Sequence, residues 1–144
     1  MTSKIKKEIT YGVKPYIAYD DIIGGRQVFI IYMGMHPCAY VECDTNYYGN
    51  EFGDEPVHWG FTYYNTLLHW KIRLSGYDEE KMKKYYIGWD YGHFGDYMEH
   101  RGKIVNEGKK WTTDEIIEEI INAIKWLDKQ ENKNSLNASE NIKK

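Results

Sequence analysis

Three side chains able to do acid–base chemistry fall within one ten-residue stretch, Ile87-Gly88-Trp89-Asp90-Tyr91-Gly92-His93-Phe94-Gly95-Asp96. A second stretch, Val57-His58-Trp59-Gly60-Phe61-Thr62-Tyr63-Tyr64, adds another imidazole, a hydroxyl and a glycine. His58, Gly60, Thr62, Asp90, His93 and Asp96 are therefore the candidate ligand-binding residues. Two imidazoles with two carboxylates admit several chemistries. A carboxylate can orient a histidine that exchanges protons with a substrate. The same groups can bind without turnover, carboxylates accepting from ribose hydroxyls or base amines while aromatic rings stack on a base. A zinc, manganese or iron site would also use these donor types. The spacing from Asp90 to His93 matches no recognised ligand motif on a strand-to-turn segment, and no cofactor is expected. Against all of these stands the plainer reading that Asp90 and Asp96 are turn residues and His93 a structural histidine, because turns use Asp and Gly in any case.

Other chemistries lack their parts. Cys38 and Cys43 are five apart in an apparent strand, so their side chains point to opposite faces and read as two free thiols. Neither sits at a helix N-terminus that would activate it. Gly24-Gly25 precedes a strand rather than a helix, so it is not a phosphate-cradling loop.

The elements that must position these groups are legible as periodicity. Asp20-Asp21 and Gly24-Gly25 read as a turn. Val28 to Met33 reads as a buried strand, and Cys38 to Cys43 as its hairpin partner. Asp44 to Pro56 is a loop carrying Asp44, Glu51, Asp54 and Glu55. Val57 to Tyr64 and Leu68 to Leu74 read as a second hairpin, a helical turn is expected around Asp78 to Lys83, and Tyr85 to Asp90 reads as the fifth strand. Residues 91–110 form a polar, glycine-rich connection. Thr112 and Glu115 have capping-box spacing, and Ile116, Ile117, Ile120, Ile121, Ile124 and Leu127 make the apolar stripe of a helix from Thr113 to about Lys129, read as core packing with no functional role.

The expected fold is α+β: a small antiparallel sheet of about five strands with one C-terminal amphipathic helix packed across it. Residues 1–19 read as an N-terminal arm, 20–129 as a single domain, and 130–144 as a disordered polar tail. Strand parity places Val57, Trp59, Phe61 and Tyr63 with Leu68, Trp70, Ile72 and Leu74, and with Tyr85, Ile87 and Trp89, under the helix. The other face collects His58, Gly60, Thr62 and Tyr64 with Tyr86, Gly88 and Asp90. Glycine within a strand often marks close approach by a ligand or another backbone.

Composition bounds the partners. A formal charge of −3 over 144 residues gives no electrostatic reason to expect nucleic acid as a partner. No run approaches the ~20 apolar residues of a membrane span, and the basic Met1 to Lys7 segment lacks the apolar stretch of a signal peptide, so a cytoplasmic location is expected. Fourteen tyrosines and five tryptophans fit either a strand-rich sheet or a recognition surface. Homo-oligomerisation is left open.

The two motif stretches also carry a resemblance. Val57-His58-Trp59-Gly60-Phe61-Thr62-Tyr63 resembles the V-H-G-G-[LI]-T-[FY] segment of a family of small accessory proteins encoded by phages and prophages. Ile87 to Asp96 is similar to that family's [IV]-G-F-D-x-x-H-x-G-D segment. Roughly residues 28–128 follow the same order of parts, with Trp59 standing where the family has glycine. The resemblance implies an accessory gene of a mobile element, and such genes often act against host defence. A counter-defence protein that binds and sequesters a small polar ligand, with a nucleotide-derived immune signal the leading candidate, is the first functional expectation. A hydrolase or phosphodiesterase acting on such a ligand is the second. The third is an inhibitor that binds a host defence protein such as a CRISPR nuclease through the acidic loop 44–55.

Overall fold

The computed structural model describes residues 4–47, 56–71, 73–74 and 78–143, with 133–143 as backbone only. The chain is α+β. A six-stranded antiparallel sheet has the order β1-β2-β3-β4-β6-β5, formed by β1 (Ile5–Lys6), β2 (Tyr16–Ile23), β3 (Arg26–Tyr32), β4 (Pro37–Glu42), β5 (Tyr63–Asn65) and β6 (Tyr86–Asp90). A separate two-stranded ribbon pairs β7 (Met98–His100) with β8 (Lys103–Asn106). A four-residue helix α1 (Glu79–Met82) precedes β6, and the long helix α2 (Thr113–Lys143) closes the chain.

Each central strand is apolar on both sides because both faces of the sheet are covered. Val28 and Ile30 of β3 join Ala39, Val41, Ile87 and Trp89 beneath Ile116, Ile120, Ala123 and Leu127 of α2. Phe29 and Ile31 point the other way, toward Tyr40, Tyr86, Leu67, Trp70, Leu74 and Met82. Neighbouring residues of one strand thus feed two cores. The β2–β3 hairpin closes through Gly24 and Gly25, at φ 57° and 80°, which suits a two-residue turn with both central residues left-handed. The predicted capping box forms: Glu115 N–H donates to Thr112 Oγ1 (3.2 Å) and Thr112 N–H to Glu115 Oε1 (3.0 Å).

Several expectations need correction. Asp20 and Asp21 lie inside β2, not in a turn. Asp20 is buried there because Lys81 of α1 reaches it at 2.9 Å and the Gln27 side-chain amide donates to it at 2.7 Å. The hairpin read from Val57 to Leu74 does not form. Trp59 (φ 61°) and Gly60 (φ 74°) make a turn closed by Gly60 N–H to Val57 O (3.0 Å), leaving only Tyr63–Asn65 extended, paired with β6. Leu68–Trp70 is a 3-10 turn, so Trp70 and Leu74 cover the face opposite α2. Ile72 lies outside the described residues. Tyr63 packs against the second core and Tyr64 against the first, the reverse of the parity expected from a continuous strand. Trp59 and Tyr85 are exposed rather than beneath the helix. The connection 91–110 holds the β7–β8 ribbon. The backbone of α2 continues past Lys129 to Lys143, since residues 130–143 contain neither Gly nor Pro to stop it. Cys38 and Cys43 are both free and buried. Among the described residues no helix is long and apolar enough to cross a membrane.

Removing one partner of a buried ion pair leaves the other charge uncompensated. Asp20→Ala should therefore lower unfolding stability by about 3 kcal/mol in a urea titration, and the double variant Asp20→Leu/Lys81→Met should recover most of it. A loss below about 1 kcal/mol for the single variant would show that Asp20 does not anchor α1 to the sheet.

Candidate functional site

The motif residues converge where β6 leaves the sheet. Asp90 ends β6, and the tight turn after it is closed by Asp96 N–H donating to His93 O (2.9 Å), with Gly95 at φ 90°. The 57–60 turn lies across this mouth, brought there because Thr62 N–H donates to Gly88 O (2.9 Å) as β5 joins β6.

Asp96 is the centre of the arrangement. It is 2 % exposed, yet its oxygens are fully engaged. Oδ2 lies 2.7 Å from His58 Nε2 and accepts the His93 backbone N–H at 3.0 Å, while Oδ1 accepts the Trp111 indole N–H at 3.0 Å. With Asp96 ionised, His58 carries its proton on Nε2, and Nδ1 is left as the basic nitrogen. The His58 ring is clamped flat on Tyr91, centroids 5.3 Å apart and planes 8° from parallel, with Trp111 against it at 4.8 Å.

A second imidazole–carboxylate pair stands beside the first. His93 Nε2 is 3.2 Å from Asp90 Oδ1 but out of line for a hydrogen bond, so that buried nitrogen has no well-formed partner. Asp90 Oδ1 accepts Gly92 N–H (3.0 Å), and Oδ2 faces the exposed Thr62 hydroxyl at 3.4 Å. The His58 and His93 ring centroids are 5.9 Å apart, with the rings edge to face. Trp59 lies over His93, centroids 4.9 Å apart and 17° from parallel, and is itself 60 % exposed. Phe94, next in the chain, is 89 % exposed.

Five of the six sequence-predicted residues thus contribute a group to one mouth: His58, Thr62, Asp90, His93 and Asp96. Gly60 contributes backbone freedom at positive φ instead of a contact. Gly88 is explained by packing, since a Cβ there would stand 2.7 Å from the Tyr40 ring. Sequence reasoning missed Tyr91, Trp111 and Glu119. Glu119 Oε1 accepts the Tyr91 hydroxyl (2.6 Å) and the His58 backbone N–H (3.3 Å), and Trp89 Nε1–H donates to the same Tyr91 oxygen (2.8 Å). Burial, then the Glu119 charge, pushes the Tyr91 phenol far above its ordinary range, so it stays a donor. Helix α2 is therefore more than core packing, because one of its carboxylates sets the platform under His58.

The donor types fit a metal less well than their number implies. Three N–H groups already occupy Asp96, and among the described residues no group of three or more His, Cys, Asp or Glu side chains is placed to hold a metal ion. Burial, then the charge of Asp90, pushes the Cys38 thiol up to about 12, which keeps it protonated and a poor nucleophile. Of the acidic loop, Glu51, Asp54 and Glu55 lie outside the described residues.

Comparison with family models, curated proteins and solved structures gives no match. On its α+β domain the chain carries two adjacent imidazole–carboxylate pairs beside the exposed ring of Trp59.

Asp96→Asn turns an acceptor-only group into one that presents its own N–H₂ to donors. It should cost about 1–3 kcal/mol in thermal or chemical unfolding and release the His58 ring, seen as a large imidazole shift by NMR. An unshifted His58 resonance would show that Asp96 does not orient it. Neither cysteine should react with a thiol reagent at pH 8 until the protein unfolds; rapid labelling of the native protein would overturn the burial argument for Cys38 and Cys43.

Proposed function

We propose that this protein binds a small polar ligand at the mouth formed by His58, Thr62, Asp90, His93 and Trp59, and acts by sequestering it. The observation that carries this is the state of Trp59. An L-residue at φ 61° sits in a disfavoured region at a cost of about 1–2 kcal/mol, and this one leaves its large ring mostly in solvent. Backbone strain spent on an exposed aromatic wall beside two histidines supports a role in stacking on a ligand. Glycine, which the similar phage proteins have at this position, would relieve that strain.

The polar groups suit hydroxyl- and amine-bearing ligands. Asp90 and Thr62 accept and donate at the rim, and the buried His93 Nε2 lacks a good partner. A nucleotide-derived signal combines a flat ring with such groups. The context of that proposal, a phage-type protein countering host defence, rests on the resemblance of the two motif stretches. A hydrolase or phosphodiesterase reading has one observation in its favour, the buried carboxylate orienting His58 as a general base would need.

Native mass spectrometry of the protein purified from its host should show a metal-free adduct of nucleotide size, released intact on denaturation. A bare mass that stays bare after incubation with the host's small-molecule extract would overturn sequestration, and conversion of an added ligand to product would replace it with the hydrolase reading. Asp90→Asn keeps the acceptor for Gly92 N–H, so it should leave the melting temperature unchanged while weakening ligand binding by about 10–100-fold. Trp59→Gly should melt no lower than the wild type yet bind about tenfold or more weakly through loss of stacking. Full affinity in both variants would remove the ligand from this mouth.

A further inference from the structure

Two cavities adjoin on the face of the sheet away from α2. The first, about 300 Å³, is lined by Tyr40, Tyr63, His69 and Trp70, with Thr62 and Asp90 at its edge. The second, about 570 Å³, is lined by Lys14, Arg73, His100 and Arg101 together with the apolar Val13, Pro15 and Met35. Met33 and Arg73 line both and so form the wall where they meet.

The second cavity departs from the charge pattern of the rest of the chain. The net charge is −3, and most other described cations face a carboxylate, as Lys6 does Asp114, Arg26 does Glu131, Lys81 does Asp20 and Lys109 does Glu115. Lys14, Arg73 and Arg101 come from three distant parts of the chain, converge on one concavity, and form no ion pair with a described residue. One carboxylate borders them, Glu99 against Gly12, and it accepts the Tyr97 hydroxyl at 2.6 Å. Arg101 is also held at φ 50° in the β7–β8 turn, a disfavoured conformation for a residue with a side chain. Unpaired cations gathered in a cavity raise the local concentration of anions and match phosphate oxygens, arginine through its planar fork.

The first cavity has complementary properties. Burial, then Arg73, lowers the His69 pKa, which favours the uncharged ring. Arg73 lies 5.8 Å from the centre of the Trp70 ring, spanning the aromatic and basic halves.

We propose that the joined cavities are a binding site for a phosphate-bearing aromatic ligand of the nucleotide class, with phosphate held by Lys14, Arg73 and Arg101 and the ring against Tyr63 and the exposed His69, which packs between Tyr63 and Trp70. This deepens the ligand-binding reading and rests on it at one point: Asp90 belongs to both the first cavity and the imidazole mouth. It places phosphate recognition on residues outside the two motifs.

NMR titration of the full chain with inorganic pyrophosphate, 5′-AMP and adenosine tests it. Pyrophosphate should move the amides of Gly12, Gly34 and Arg101, adenosine those around Tyr63 and Trp70, and 5′-AMP both sets. The double variant Lys14→Gln/Arg101→Gln, confined to exposed side chains, should weaken pyrophosphate and 5′-AMP about tenfold or more and leave adenosine unchanged. No response to pyrophosphate up to about 10 mM, or an unchanged response in the double variant, overturns the phosphate site. A 5′-AMP response confined to the basic half overturns the placement of the ring. Asp90→Asn separates this proposal from the previous one: pyrophosphate binding that survives while Asp90→Asn has no effect on any ligand sustains the phosphate site and sinks the imidazole mouth.

Discussion

A carboxylate that is almost wholly out of water must find donors, and Asp96 finds three from three parts of the chain. Its bonds to His58 Nε2, the His93 N–H and the Trp111 indole tie together the 57–60 turn, the 92–96 turn and the approach to α2. None of these segments has a ladder of backbone hydrogen bonds long enough to fix its own position. An unpaired buried carboxylate costs several kcal/mol, so the need to satisfy it acts on the loops as a core residue acts on strands. The orientation of the His58 ring on Tyr91 and the placing of the His93 backbone beside it follow from that one requirement.

The sheet beneath is used twice. One face is closed by the isoleucine stripe of α2. The other is closed by the excursion between β4 and β6, which contributes Leu67, Trp70, Leu74 and Met82 before returning to pair β6 beside β4. Among its described residues this cover consists of loop, a 3-10 turn, the short strand β5 and the short helix α1, and the first cavity lies between Tyr63, His69, Trp70 and the sheet. Asp90 sits at the boundary, last in its strand, with one oxygen toward the Gly92 N–H and the His93 ring and the other toward Thr62.

Strong local signals were legible in the sequence. The β3–β4 hairpin, β6, the capping box at Thr112 and the stripe from Ile116 to Leu127 follow from periodicity and cap chemistry, and the structure has them. The clustering of His58 with Asp90, His93 and Asp96 was legible from residue types near glycines. What parity could not give was the break at Trp59: an aromatic residue in an aromatic run reads as strand, and only its positive φ shows otherwise. Asp20 misread as a turn residue because its partner Lys81 is distant in sequence. Glu119 was hidden for a similar reason, since a glutamate on the polar side of an amphipathic helix carries no mark of the tyrosine it will meet.

The two borders of the main sheet bear on how the protein behaves in quantity. A sequestering protein neutralises one ligand per site, so it works only when it is as abundant as what it captures. Abundance is hazardous for a sheet, whose outer strands offer unpaired backbone groups to neighbouring copies. Here the outer strands are Ile5–Lys6 and Tyr63–Asn65, two and three residues long. Edges that short offer few donors and acceptors of their own, and the edge groups open to a neighbouring copy are those of β2 that β1 leaves uncovered, from Asp21 to Ile23.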